Sequence, residues 1–123
     1  MNESSLPAIL GKLPEEKGKL LLEATLRQLS KDLDMPPEQL DGIEKNQLAE
    51  LEQIVSLHLH DYTAGKKSVL QQLLYKADIS EREYRRILNA TEGSDMESRL
   101  ATAFIFRAFT KCYTRILAAE GKL

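Results

Sequence analysis

Leucines set the rhythm of the first half of the chain. Leu22, Leu26, Leu29 and Leu33 follow the spacing that lines side chains along one face of an α-helix. This predicts a helix over about Pro14–Leu33. Pro14 suits an opening position, Glu15 and Glu16 suit the positive end of the helix dipole, and Pro36-Pro37 provides the stop. Gly18 weakens the first turn. A second helix is expected over about Ile43–Tyr62, with Leu48, Leu51, Val55, His58 and Tyr62 inward and Gly65 as its break. Asp41 and Glu44 have the spacing of a capping box at its start.

The second half repeats the theme. Lys66–Ala77 presents Val69, Leu70, Leu73, Leu74 and Ala77 on one side. A shorter helix begins at Ser80, where Ser80 and Glu83 form a capping box, and turns Tyr84, Ile87 and Leu88 inward before Gly93. Ser94 and Glu97 form another such box ahead of the last helix, about Asp95–Ala119. Here Ala101, Ile105, Ala108, Phe109, Cys112 and Ile116 share a face, widened by Phe106 and Tyr113, and Gly121 follows as a stop. Residues 1–12 are expected to be loose or to add one short turn around Leu6–Leu10. No segment alternates in the manner of a strand. The expected fold is all-α: one domain over residues 1–123, a compact bundle of about five helices with short connections and the C-terminal helix at its centre.

Composition agrees with a globular chain. Of 123 residues, 42% are hydrophobic and 29% charged, enough apolar content for a core without a disulfide or metal staple. Cys112 is the only cysteine, which excludes an intrachain disulfide framework and fits a reducing compartment. No basic, apolar leader opens the sequence. The longest apolar run, Ala101–Phe109, is interrupted by Thr102 and Arg107, so no membrane span is expected and the expected location is cytoplasmic.

The net charge of −2 conceals a division: residues 1–61 carry 6 basic and 12 acidic groups, residues 62–123 carry 11 and 7. Such halves either neutralise one another internally or leave a basic surface for an anionic partner.

Most chemistry-bearing residues have a simple solvated or packed explanation. His58 and His60 are two apart, about 200° around a helix, so they do not share a metal ion; His58 belongs at the edge of the apolar stripe and His60 in solvent. Cys112 falls within the most apolar stripe, where a thiol is inert. Gly65-Lys-Lys-Ser68 lacks the earlier glycine and preceding strand of a phosphate-binding loop. The carboxylates of Glu15 with Glu16, and Glu50 with Glu52, lie on helix segments whose apolar residues face elsewhere. Glu-x-x-His, the motif of di-iron bundles, is absent. No cofactor or metal is expected.

Two features have a functional alternative. Residues 70–88 are laid out like a helix-turn-helix: Leu70 and Leu73, a turn at Asp78, Ile79, the Ser80 cap, then Tyr84, Ile87 and Leu88. Arg82, Arg85 and Arg86 project from its second helix, where a DNA-binding protein makes phosphate or base contacts. Against this stand Leu74 where a small residue is usual, Asp78 in place of a turn glycine, the bulk of Tyr84, and Glu81 and Glu83 on the would-be recognition helix. The second feature is Leu100 and Phe104, which share a side of the last helix with Arg107, Lys111 and Arg115. Either a neighbouring helix covers them, or they form an apolar patch ringed by cations that binds a partner or a second copy. The sequence thus points first to a non-enzymatic protein-interaction or self-associating module. A DNA-binding regulator comes second, and an enzyme whose site the sequence does not display comes third.

Overall fold

The computed structural model describes residues 5–90 and 95–122. Among these, six α-helices follow in order: α1 (Ser5–Lys12), α2 (Glu15–Leu33), α3 (Leu48–Gly65), α4 (Lys67–Lys76), α5 (Glu81–Ala90) and α6 (Asp95–Ala119). Short 3₁₀ turns at Pro37–Gln39 and Lys45–Gln47 link α2 to α3. No strand occurs among the described residues. The all-α bundle read from periodicity is therefore what the chain forms, with α1 as an added element. Leu6 and Leu10, one turn apart, are buried, and that anchor is enough to fix α1 against α2.

α6 is the central post. It lies against both α2 and α3, and Leu100, Ala101, Ala103, Phe104, Ile105, Ala108, Phe109 and Cys112 are all buried. These positions go most of the way around the helix. Leu100 and Phe104 are 0% exposed, so they form no exposed docking patch: neighbouring helices cover them. In α2, Leu22, Leu26, Leu29 and Leu33 are buried as their spacing predicts.

The start of α3 differs from expectation. Asp41 and Glu44 do not make the capping box; Glu44 and Gln47 do, with the Glu44 N–H donating to Gln47 Oε1 at 2.9 Å. Gly42, at φ +79°, holds the chain in a left-handed turn that ordinary residues resist, which postpones helix formation to Lys45. Further along α3, Leu51, Val55 and Leu59 are fully buried, while His58 and Tyr62 are half-buried at the edge. The box expected at Ser94 and Glu97 involves Ser94, which lies outside the described residues.

Three helices end in the same way. Met35 donates to the Ser30 carbonyl, Ile79 to Leu74 and Lys122 to Leu117, each preceded by a residue at positive φ: Asp34, Asp78 and Gly121. This is the Schellman arrangement, which satisfies terminal carbonyls. Asp in the left-handed region costs more than Gly, and both aspartates have a nearby cation. Lys76 Nζ is 2.7 Å from Asp34, and Arg107 Nη2 is 3.7 Å from Asp78.

The end of α2 draws in three other helices. His58 of α3 donates Nε2–H to the Leu33 carbonyl at 2.8 Å, and Ser30 Oγ donates to the Met35 carbonyl at 2.6 Å. Lys76 of α4 meets Asp34. Lys111 of α6 lies 3.3 Å from Asp32, both side chains being largely buried at 13% and 3% exposure. Asp32 also accepts from Gln28, and Lys111 donates to the Lys76 carbonyl at the end of α4. Removing one partner of a buried pair leaves an uncompensated charge, so Lys111→Met is expected to cost about 3–5 kcal/mol. Adding Asp32→Asn should recover part of that loss in urea unfolding. A loss below about 1 kcal/mol for Lys111→Met would show that Asp32 does not depend on this cation.

Candidate functional site

The face of α5 stands apart because the fold makes so little use of it. Its N-terminus is set by Ser80, whose Oγ accepts the Glu83 N–H at 3.1 Å while its carbonyl accepts the Tyr84 N–H at 3.0 Å. The preceding turn needs a left-handed residue and takes Asp78 at φ +62°, so the missing glycine is no obstacle to the corner. No side chain of α5 is fully buried; Tyr84 and Ile87 are half-buried against the core. Leu88, expected inward with them, is exposed instead, because α5 touches the bundle along a narrower strip than its apolar residues span. On the opposite face, Arg82, Arg85, Arg86 and Asn89 follow i, i+3, i+4, i+7 spacing and are exposed.

Arg85 is paired with Glu81 at 2.7 Å, a surface pair with both side chains open to water. Arg82 and Arg86 have no hydrogen-bond or ion-pair partner among the described residues. The stripe itself, with the Ser80 cap, lines a shallow depression open to solvent. Two free guanidinium groups about one turn apart can form bidentate hydrogen bonds to carboxylate or phosphate oxygens.

Three basic residues of α6 are engaged within the bundle. Lys111 serves Asp32, Arg107 neighbours Asp78, and Arg115 donates to Gln28 Oε1 at 2.9 Å. Together with the burial of Leu100 and Phe104, this removes the site expected on that side of the helix.

A second concavity, about 680 Å³, runs between α2, the end of α1 and the loop around Pro37–Lys45. Its floor is Gly18, Leu22 and Leu26, and one wall is the row Glu15, Lys19, Glu23 and Arg27. Periodicity marks that row as solvated but gives no hint of the groove, whose other wall comes from the loop.

The histidines have separate duties. His58 ties α3 to the end of α2 and meets the Tyr62 ring edge-on, with centroids 5.2 Å apart. His60 is exposed but not idle: its Nδ1 lies 2.8 Å from Glu97 Oε1, which also accepts from Thr63 Oγ1 at 2.8 Å. Ser98 donates to Glu52, and Ser56 Oγ lies 3.5 Å from the Glu97 carbonyl, completing a polar seam between α3 and the start of α6. No group of three or more His, Cys, Asp or Glu among the described residues is arranged to hold a metal ion. Cys112 is buried, and burial pushes its thiol above the ordinary value of 9.0 despite the pull of Arg115, which leaves it protonated and a poor nucleophile at neutral pH.

The chain matches no protein-family model, no curated protein and no solved structure. Among the described residues, no helix is long and apolar enough to cross a membrane.

The seam has a pH signature. Burial alone raises the Glu97 carboxyl, but the hydrogen bonds from Thr63 and His60 and the attraction of His60 outweigh it and hold it below its ordinary value of 4.5. A lowered carboxyl contributes stability at neutral pH and loses it as pH falls through the lowered value. The stability gap between wild type and Glu97→Gln should therefore be widest near neutrality and close in acid below pH 4.5, as read by urea unfolding across that range. A gap unchanged with pH would show that the carboxylate charge plays no part.

Proposed function

We propose that this chain is a non-enzymatic helical binding module that engages an acidic segment of a partner protein through the outer face of α5. One observation carries the proposal: Arg82 and Arg86 stand exposed and unpaired on a single helix face. By contrast, Lys76 and Lys111 are used to join helices, through Asp34 and Asp32. Arg85 belongs to the same stripe and is held only by an exposed pair with Glu81, which a competing carboxylate can replace. Glu81 and Glu83 lie in the first turn of α5, where the recognition helix of a DNA-binding corner meets base edges, and their charge opposes insertion of that turn into a DNA groove. The single buried thiol is compatible with a cytoplasmic setting.

A DNA-binding regulator is the second reading, favoured by the helix-turn-helix-like order of α4, the Asp78 turn and the Ser80-capped α5. Fluorescence anisotropy with a labelled acidic peptide and a labelled duplex, each titrated at low salt, separates the two. The peptide should bind, and Arg82→Ala with Arg86→Ala should weaken it about tenfold, corresponding to roughly 1.4 kcal/mol. Duplex binding with a steep salt dependence that the same substitutions flatten would establish the second reading instead. Binding of neither probe would overturn both.

A further inference from the structure

The outer face of α2 carries a charge pattern that complements itself. Glu15, Lys19, Glu23 and Arg27 are four residues apart, alternate in sign, and are all exposed. Neighbours at this spacing commonly pair along a helix, yet none of the four makes an ion pair among the described residues. Laid against a reversed copy of itself, the row matches at every position. Glu15 faces Arg27, Lys19 faces Glu23, and the two reciprocal pairs follow from symmetry. A twofold axis at Leu21 generates all four contacts. Such reciprocity is what an isologous interface requires, in which one patch serves both subunits.

We infer that α2 packs antiparallel against α2 of a second copy of this chain, forming a twofold homodimer. Rows at i, i+4 spacing lie side by side when two helices cross at about −50°, a common packing geometry. Leu20, 56% exposed, flanks the row and lies at the rim of this interface. The row is also one wall of the groove floored by Gly18, Leu22 and Leu26, which flanks the interface on the side away from Leu20. This surface is distinct from α5 and leaves the arginine stripe open, so dimerisation and the binding proposed for α5 stand or fall separately.

Symmetry makes the proposal testable by charge exchange. Sedimentation equilibrium of the wild type, up to hundreds of micromolar to allow for a modest interface, should give the mass of two chains, falling toward one chain at high salt. Lys19→Glu sets carboxylate against carboxylate in both central pairs, and Glu23→Lys sets ammonium against ammonium there, so each alone should give a monomer. Lys19→Glu combined with Glu23→Lys restores both pairs with their signs exchanged and should restore the dimer. Circular dichroism and thermal unfolding establish that each variant is folded. A monomeric wild type would overturn the inference. So would a folded double variant that stays monomeric like the singles, or folded single variants that dimerise as the wild type does.

Discussion

Much of this structure depends on how α2 ends. The last turn of a helix presents carbonyls without intrahelical partners, and here that turn also contains a nearly buried carboxylate, Asp32. Either would destabilise an apolar interior if left alone. The solution is collective: α3 supplies His58, α4 supplies Lys76 and α6 supplies Lys111, while Ser30 and Asp34 close the backbone locally. Three helices are thereby positioned against one point. The hydrophobic core makes their association favourable, but leucine surfaces tolerate rotation and sliding. Directional hydrogen bonds to a fixed helix end do not, and they specify how the helices are arranged.

The charge division along the chain has the same origin. Asp32 and Asp34 belong to the acidic half, and their cations, Lys111 and Lys76, to the basic half. Lys17 and Glu120 join the two halves in the opposite sense. Part of the apparent polarity of the sequence is thus internal electrostatics. Among the charges left outside are two helix faces of different character: an arginine stripe on α5, and a row of alternating sign on α2. The first is suited to an anion, the second to a surface like itself.

How much of this was legible in the sequence depends on the distance over which each interaction acts. Helical periodicity is local, so α2, α4, α5 and α6 emerge near their true limits, and the apolar density of α6 marks it as central. Local chemistry also marks the Ser80 cap. The Glu44–Gln47 box is obscured because Asp41–Glu44 offers the same spacing, and the left-handed Gly42 decides between them. Leu59 is missed because a stripe through His58 fits the helix nearly as well, and only the position of the neighbouring helices distinguishes the two. Nothing local indicates that Lys111 serves Asp32, 79 residues away, or that Arg107 neighbours Asp78. Without those ties, Leu100 and Phe104 resemble a patch ringed by free cations.

The loose attachment of α5 has a kinetic consequence. With no fully buried side chain, and only Tyr84 and Ile87 half-engaged, it costs less to lift from the bundle than α2 or α6, whose cores are fully enclosed. Opening there can occur as a sub-global event while the rest of the molecule stays folded. The helix presenting the arginines is then also the part of the protein whose order a bound ligand can most readily increase. Association would be accompanied by slower amide exchange in α5, and part of the intrinsic affinity would go into holding it still.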